Sequence, residues 1–210
     1  MTLWGIYGAG GCGRGILPLA RAQLRPGDDL VFVDDLAHGS LINGAQVLAF
    51  DTFASSPARR AICLAVADAT LRRALDHRCR SAGVPFFSPR AAEHVVMDSV
   101  EIGEGALISP FATLTSNIRV GRHFHLNLYS YVEHDCVIGD FVTFAPAVRC
   151  NGAVRIGDGA YIGAAAVIRQ GLSIGENATI GMGAVVVRDV PAGETWVGNP
   201  ARPIRRSAVP

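Results

Sequence analysis

The sequence predicts an α/β domain followed by an all-β domain: a small Rossmann-like unit over residues 1–92, then a parallel β-helix over 93–193, with a C-terminal cap or tail over 194–210. Short apolar runs that alternate with helical stretches predict the first domain. A large apolar residue or cysteine at every sixth position predicts the second. The 24 glycines fit many tight turns rather than a helical bundle.

The composition excludes several kinds of protein. Half of the 210 residues are apolar and 18% are charged, which excludes intrinsic disorder and provides enough apolar surface for a core. A net charge of +1 gives no electrostatic case for binding nucleic acid. All 19 basic residues are arginines, so a Schiff-base lysine, a lysine nucleophile and a Walker-type P-loop are excluded.

The sequence also bears on location and redox state. No apolar stretch approaches the roughly 20 residues that span a bilayer, and the first residues lack the pattern of a signal peptide. We therefore expect a cytoplasmic protein without membrane insertion. The cysteines are odd in number and form no C-x-x-C pair, which indicates reduced thiols and neither a disulfide framework nor a zinc ribbon. They are Cys12, Cys63, Cys79, Cys136 and Cys150.

Five elements are predicted in the first domain. Three apolar runs predict strands, and two other stretches have apolar or small residues at helical spacing. Because strands and helices alternate, the strands are expected to form a small parallel sheet. The predicted strands are 3–7, 30–33 and 62–66, and the predicted helices are 15–24 and 68–81.

A glycine-rich loop connects the first strand to the first helix. Residues 8–13 match the pattern G-x-G-x-x-G, and Asp34 and Asp35 follow the second strand. Backbone N–H groups of such a loop suit a diphosphate, and the acidic pair suits a ribose or a base. The α/β part is too short for a complete NAD site, so we expect a nucleotide-diphosphate group, with a purely structural turn as the alternative. The candidate substrate-binding residues of the loop are Gly8, Gly10, Gly11, Cys12 and Gly13.

The second domain contains two apolar columns. One takes every sixth residue from Val96 to Val186, and the other lies four residues after each member from Ile102 onward, with Ser130 as the exception. Six residues per face and three faces per coil predict a triangular parallel β-helix, with both columns facing inward and coils about 4.8 Å apart. The unbroken period leaves no inserted loop. Glycines repeat at three times the basic period, at Gly103, Gly121, Gly139, Gly157, Gly175 and Gly193.

His134 is the candidate general base. It follows the inward Val132 by two residues, so it should project outward near a corner, between Glu133 and Asp135. A carboxylate beside an imidazole raises its basicity. Gly152 lies one coil further on and is expected about 4.8 Å from position 134, where its uncovered backbone N–H suits the oxyanion of a thioester. A charged outer corner beside a glycine turn is the alternative interpretation.

Four segments in this order resemble one known family. They are GAGGCG at 8–13, Asn127 with EHDCVIG at 133–139, CNG at 150–152 and GNPAR at 198–202. Together they look like the NeuD/PglD-like sugar O- and N-acyltransferases, which are left-handed β-helices with a hexapeptide repeat, and the resemblance covers essentially the whole chain. The left hand is implied by the resemblance alone, since the general rule for parallel crossovers predicts the opposite hand.

The resemblance implies roles for particular residues. The histidine that matches His134 is the catalytic base, the acid that matches Asp135 supports it, and the glycine that matches Gly152 supplies the oxyanion donor. The glycine-loop domain holds a nucleotide-activated sugar, Asn127 is counted with the substrate-binding residues, and acetyl-coenzyme A is the acetyl donor. Two positions depart from the family: Cys12 stands where several members have histidine, and Asp135 where they have a longer acid. A thiol nucleophile at Cys12 is disfavoured, because no histidine lies near it in sequence.

The remaining motif residues also have structural interpretations. The GNPAR ending is similar to the segment that follows the coils in many acetyltransferases of this superfamily. We weigh a cap over the helix core equally with a contact of Gly198, Pro200 and Arg202 to coenzyme A. Cys136 and Cys150 fall in the inward columns, which indicates small core residues.

These observations predict an acetyltransferase that transfers acetyl directly from acetyl-coenzyme A to an amino group of a nucleotide-linked amino sugar, for bacterial surface glycan synthesis. O-acetylation of a sialic-acid-type sugar is the alternative within enzymes. A non-catalytic β-helix that binds a nucleotide or a metal is the alternative outside them. The most specific form of this non-catalytic alternative is a zinc site formed across subunits by His123, His125 and His134. We expect no metal.

A homotrimer is the expected assembly. A flat, loop-free face cannot form a pocket that shields a thioester from water, so the His134 corner should face another subunit. Three prisms around a threefold axis supply such a pocket in acetyltransferases of this architecture. Outward aromatic residues are expected at Tyr129, Tyr131 and Phe141.

Overall fold

The computed structural model describes residues 1–204. The chain divides into two compact units. The first, called here the α/β unit, is formed by Met1–Ala91 with Glu104–Leu107, and the second, the β-helix unit, by Ala92–Gly103 with the chain from Ile108 onward. Within the described part of the chain, no helix is both long enough and apolar enough to cross a membrane.

The α/β unit contains a five-stranded, mainly parallel sheet and three helices. Its elements are β1 (Thr2–Tyr7), α1 (Gly11–Arg21), β2 (Asp29–Val33), β3 (Leu41–Ile42), β4 (Ala45–Leu48), α2 (Phe50–Ala54), β5 (Arg59–Leu64) and α3 (Ala69–Ser81). The strand order is β3-β4-β2-β1-β5, and only the β3–β4 pair is antiparallel. The three predicted strands and two predicted helices are all present, with shifted ends.

Apolar side chains cover both faces of this sheet. Successive strand residues point to opposite faces, so Ile6 joins one buried cluster and Tyr7 the other. Helix α1 contributes Ile16 to the first cluster, whereas α2 and α3 contribute Phe53 and Cys79 to the second. The three helices are therefore held on the sheet by two separate apolar layers.

Helix α1 begins at Gly11, inside the glycine loop, whereas the apolar pattern predicted a start at Gly15. Gly10 is its N-cap residue, and glycine has no side chain with which to cap the helix. Glycine is a poor helix former, and for that reason the local sequence argued against this early start. Burial of the apolar face of the helix against the sheet offsets that cost.

Elements β3, β4 and α2 were not predicted from the sequence. The β3–β4 hairpin turns at Asn43 and Gly44, which both have positive φ, 48° and 77°. Asn-Gly is the favoured pair for such a two-residue turn, so this signal was present in the sequence. Helix α2 begins at Phe50, whose backbone N–H donates to the Asp35 carboxylate at 2.9 Å. That contact joins residues far apart in sequence, and no local pattern indicates it.

The β-helix unit consists of short strands at regular spacing. They are β6 (Val95–Val96), β7 (Val100–Ile102), β8 (Leu107–Ile108), β9 (Thr113–Leu114), β10 (Ile118–Val120), β11 (His125–Leu126), β12 (Tyr131–Val132), β13 (Val137–Ile138), β14 (Thr143–Phe144), β15 (Arg149–Cys150), β16 (Arg155–Ile156), β17 (Tyr161–Ile162), β18 (Val167–Ile168), β19 (Ser173–Ile174), β20 (Thr179–Ile180), β21 (Val185–Val186), β22 (Thr195–Val197) and β23 (Arg202–Pro203).

From β6 to β21, each strand pairs in parallel with the strand three places further along the chain, which produces three sheets around one core; β22 and β23 extend one of these sheets. The orders are β19-β16-β13-β10-β7, β21-β18-β15-β12-β9-β6 and β23-β22-β20-β17-β14-β11-β8. Within the coils the paired residues lie one coil apart, as Val132 does from Cys150. The first apolar column is buried from Ile108 to Val186 and the second from Ala106 to Val190. The predicted parallel β-helix with two inward columns is confirmed.

Several side chains of this unit lie deeper than the sequence predicted. Phe141 was expected to face outward, but it is only 5% exposed, and its ring stacks on His123 at 5.2 Å. The two rings meet because their positions differ by one coil. His123 and His125 are both buried, whereas Tyr129 is exposed as expected. The expectation of an outward Phe141 was therefore wrong.

Candidate active site

His134 and Asp135 are hydrogen-bonded to each other at the corner that follows β12. The imidazole Nδ1 lies 2.7 Å from Asp135 Oδ2, and the two side chains are 60% and 54% exposed. Asn117, one coil earlier, donates from Nδ2 to the other carboxylate oxygen at 3.2 Å. Asp135 has a positive φ of 61°. Of the two acids that flank the histidine, Asp135 is the one that hydrogen-bonds the ring.

The electrostatics of this corner favour a basic imidazole. The hydrogen bond to Asp135 raises the pKa of His134 above its ordinary value of 6.5, and the charge of Glu133 adds to that effect. The same bond and the one from Asn117 lower the pKa of Asp135. An ionised Asp135 keeps the imidazole proton on Nδ1, which leaves Nε2 as the proton acceptor.

Gly152 lies directly against the imidazole, one coil after it. A Cβ at this position would be 2.5 Å from His134 Cε1 and 2.6 Å from Nε2, so a larger residue would displace the ring. The coils are held in this register by the Ala153 N–H, which donates to the His134 carbonyl at 2.8 Å. Glycine is therefore required here by the close approach of the ring.

The backbone N–H of Gly152 is open, whereas those of Arg122 and Asp140, at the same position of their hexapeptides, are capped by a carboxylate. The N–H of Arg122 donates to Asp140 Oδ1 and that of Asp140 to Asp158 Oδ1, both at 2.8 Å and both one coil apart. Position 170, one coil after Gly152, is Gln170. Among residues 1–204, no acceptor is bonded to the Gly152 N–H. The imidazole therefore lies against a residue whose N–H donor is unpaired, and acyl transfer uses both a base and such a donor.

Asn127 lies at a different corner from His134. It follows β11, whereas His134 follows β12, so one flat face separates the two within a single chain. Its Oδ1 accepts the backbone N–H of Leu128 at 3.1 Å. The single chain therefore does not bring Asn127 to the base.

Asn117 is a site residue that the sequence reasoning missed. Its side chain holds the carboxylate of Asp135, and the two residues are one coil apart. The 18-residue spacing that linked His134 to Gly152 would have linked this pair as well. Tyr131 was placed only among the outward aromatics, and its hydroxyl donates to Asn151 Oδ1 at 3.1 Å beside the same corner.

The glycine loop of the α/β unit contains two positions that require glycine and two at which a side chain would have space. Gly8 has φ +100°, and a Cβ on Gly13 would lie 1.8 Å from the Gly8 carbonyl oxygen, so these two positions require glycine. Gly10 and Gly11 have open space around them and are exposed. They lie at the start of α1, where backbone N–H groups favour an anion.

The two acids after β2 have different partners. Asp34 Oδ2 accepts the N–H of Ala9 at 3.1 Å, so this carboxylate holds the glycine loop. Asp35 forms an ion pair with Arg78 and also accepts hydrogen bonds from the Tyr7 hydroxyl and the Phe50 N–H. Partial burial opposes ionisation of Asp35, but these hydrogen bonds lower its pKa.

Cys12 is half-buried, and burial raises the pKa of its thiol. The thiol form therefore dominates, which argues against a nucleophilic thiolate. Cys136 and Cys150 are fully buried in the β-helix unit, in agreement with their predicted core positions.

The C-terminal segment extends one sheet of the β-helix. Strand β22 pairs with β20 in parallel, and β23 folds back on β22. The Gly198 carbonyl accepts the Val185 N–H at 2.9 Å, and Arg202 Nη1 donates to the neighbouring Ala201 carbonyl at 2.8 Å. These bonds fit the cap interpretation of Gly198, Pro200 and Arg202 and leave the coenzyme A contact a prediction. Residues 205–210 of the predicted tail lie outside the described residues.

The three-histidine zinc site, the alternative considered across subunits, has no counterpart within the single chain. His123 and His125 are buried, whereas His134 is exposed. No group of three or more His, Cys, Asp or Glu side chains among residues 1–204 is placed to hold a metal ion.

Comparisons with known protein sequences agree with this geometry. Residues 153–188 match the family model described as bacterial transferase hexapeptide (six repeats). The chain is 47% identical over 217 residues to the GDP-perosamine N-acetyltransferase of Escherichia coli O157:H7, an alignment that covers 99% of this chain and 98% of that protein.

Comparisons with solved structures give the same result. WeeI from Acinetobacter baumannii AYE has a TM-score of 0.93 and 46% identity, over 97% of this chain and 100% of that chain. The acetyltransferase domain of PglB from Neisseria gonorrhoeae FA1090, in complex with acetyl coenzyme A, has a TM-score of 0.89 and 32% identity, over 96% and 98%.

Proposed function

Because the chain belongs to the NeuD/PglD-like sugar acyltransferases, we propose that it transfers acetyl from acetyl-coenzyme A to the amino group of a nucleotide-linked amino sugar. These acyltransferases are left-handed β-helix enzymes of the hexapeptide-repeat class. The proximity of the His134 imidazole to the open Gly152 N–H carries the proposal. GDP-perosamine is the first acceptor to test, because a relative 47% identical is named for it. Both substrates are metabolites of the cytoplasm, which supports a cytoplasmic location.

The proposed reaction is a direct transfer that starts with His134 and Asp135. His134 Nε2 takes a proton from the sugar amine as the amine nitrogen attacks the thioester carbonyl carbon. Asp135 stabilises the imidazolium that results, through its hydrogen bond to Nδ1. The Gly152 N–H donates to the oxyanion of the tetrahedral intermediate.

The second half of the reaction returns the proton. The C–S bond breaks, and His134 passes its proton to the leaving thiolate, so the products are the acetamido sugar and coenzyme A. No covalent intermediate with the enzyme is involved. The base is therefore back in its starting state after each turnover.

The α/β unit is proposed as a Rossmann-like nucleotide-sugar-binding domain over residues 1–92, with the acetyltransferase domain over 93–193. Gly10 and Gly11 are exposed at the start of α1 with open space around them, which suits the diphosphate, and Gly8, Cys12 and Gly13 complete the loop. Asp34 holds the loop, and Asp35 is the candidate for a further hydrogen bond to the ribose or base.

A homotrimer is proposed as the active form. In the single chain the His134 side chain is 60% exposed, which leaves a thioester unprotected from water. A neighbouring subunit would cover this corner and bring Asn127, together with Gly198, Pro200 and Arg202, toward the reacting groups. Sedimentation should give about 66 kDa, three times the chain mass of 22.1 kDa. A fully active monomer would contradict the interfacial site.

A thiol-release assay with acetyl-coenzyme A tests the activity itself. The acceptors are GDP-perosamine and a panel of UDP-, dTDP- and GDP-linked 4-amino sugars, with the parent hydroxyl sugars as controls. We expect turnover that depends on the amino sugar and is fastest with GDP-perosamine. Release of thiol only with hydroxyl sugars would overturn N-acetylation, and no release with any acceptor would overturn the proposed function.

A further inference from the structure

The thiol of Cys136 lies in the core beneath the candidate active site. Cys136 is fully buried, and its Sγ donates to the Asn151 carbonyl oxygen at 3.3 Å. The same sulfur accepts the backbone N–H of Val154 at 3.4 Å. The Val154 bond occupies a lone pair of the sulfur. Of the two backbone carbonyls within reach of the S–H, that of Asn151 is nearer, since the His134 carbonyl oxygen lies 3.6 Å from the sulfur.

The peptide that Cys136 holds is the one that carries the oxyanion donor. The Asn151 carbonyl and the Gly152 N–H belong to a single peptide group, which is planar and trans, so the two point in opposite directions. A hydrogen bond that fixes the carbonyl toward the core therefore fixes the N–H toward the outside, where the His134 ring lies. Cys136 makes the shorter of the two thiol contacts to this carbonyl, the other being that of Cys150 Sγ at 3.8 Å. A buried side chain that touches neither substrate therefore supports the orientation of the donor.

Ser130 provides an internal comparison for this arrangement. It occupies the same inward column one hexapeptide earlier, donates to the Ala145 carbonyl at 2.9 Å and accepts the Val148 N–H at 3.0 Å. The sequence offsets are the same as those of Cys136. The peptide after Ala145, however, ends in Pro146, which has no N–H. The two residues thus make the same pair of bonds, and only the Cys136 peptide can donate to an oxyanion.

From this geometry we infer that Cys136 is a positioning residue for acetyl transfer, which orients the Gly152 N–H through the Asn151 carbonyl. The inference rests on the proposed function. It assigns Cys136 no contact with substrate and no redox or nucleophilic step. It predicts that the hydrogen-bonding capacity of the residue matters more than its volume, and that serine, which makes the same two bonds at position 130, replaces it.

Steady-state kinetics of Cys136→Ala, Cys136→Ser and Ser130→Ala test the inference. Cys136→Ala should lower kcat about tenfold, which is less than the loss expected when an oxyanion donor is removed altogether. The KM for each substrate should stay within about twofold of the wild-type value. Cys136→Ser should restore most of kcat. The acidic limb of the pH profile should move little in either variant, because the hydrogen bond to Asp135, the main cause of the raised His134 pKa, is retained. Ser130→Ala is the matched control: it removes the same two bonds from the same core and should keep wild-type kcat.

The outcomes separate this inference from the proposed function. Wild-type kcat in Cys136→Ala, equal losses in Cys136→Ala and Ser130→Ala, or no rescue by serine in a folded protein would each overturn the positioning role while leaving the acetyltransferase intact. Thermal melting of all three variants shows whether they are folded. A wild-type protein without turnover on any amino sugar overturns the proposed function and this inference with it.

Discussion

The corner at Gly152 and the corner at Asp140 are built on the same hexapeptide position but differ around their outward N–H group. At Asp140 the outward N–H is capped by the carboxylate of Asp158, one coil later, and the position carries a side chain of its own. At Gly152 there is neither a cap nor a side chain, and the His134 ring occupies the space instead. The Gly152 corner is thus a candidate site because an unpaired backbone donor and an imidazole base occur at the same corner.

His134→Ala should have the largest effect, because it removes the base that distinguishes this corner. We expect kcat to fall by about a hundredfold to ten-thousandfold, since proton removal belongs to the transition state. The affinity for coenzyme A, measured by titration calorimetry, should stay nearly unchanged. An undiminished rate in the thiol-release assay would contradict the assignment of His134.

Gln170→Asp should convert the Gly152 corner into a copy of the Asp140 corner. The carboxylate would lie one coil after Gly152, as Asp158 does after Asp140, and would cap the open N–H. We expect kcat to fall about ten- to a hundredfold, because a capped donor cannot stabilise the oxyanion. Gln170→Ala is the control and should keep its rate, because alanine provides no acceptor. Equal effects of both substitutions would contradict the oxyanion role of Gly152.

Asp135→Asn should lower kcat about tenfold and shift its pH dependence. The base must be unprotonated, so the rate rises with pH through the His134 pKa, which the Asp135 carboxylate raises above 6.5. Removal of that charge lowers the pKa, and the acidic limb should therefore move to lower pH while the plateau falls. The pH–rate profile measures both changes. Glu133→Gln is the control, and a greater loss there would show that the wrong acid was assigned.

Gly10→Asp should have the smallest effect on turnover and act on nucleotide binding instead. Position 10 has open space and ordinary φ, so the fold should tolerate the change, but the carboxylate would repel a diphosphate at the start of α1. We expect affinity for GDP to fall about tenfold, with kcat at saturating sugar unchanged. Titration calorimetry with Gly15→Asp, an equally open glycine of the same helix, is the control. Equal affinities for both variants would indicate a purely structural loop.

The sequence predicted more of the β-helix unit than of the α/β unit. A period of six fixes which side chains enter the core, and a coil of 18 residues converts a separation in sequence into a contact in space. The proximity of His134 to Gly152 followed from this rule, and the contact of Asn117 with Asp135 could have followed as well. In the α/β unit, the early start of α1 and the contact of Asp35 with Phe50 depend on packing between distant segments, so no local pattern contained them.

The sequence by itself determined the coil repeat, the two inward columns and the position of a histidine over a glycine, because these depend only on the spacing of residues along a regular backbone. Only the tertiary structure decided which acid bonds the imidazole, that Phe141 is covered by His123, and that the Cys136 thiol holds the Asn151 carbonyl. Each of these depends on the local direction of a side chain at a corner. That direction is set by φ, ψ and rotamer against neighbouring coils, and periodicity alone contains no information about it.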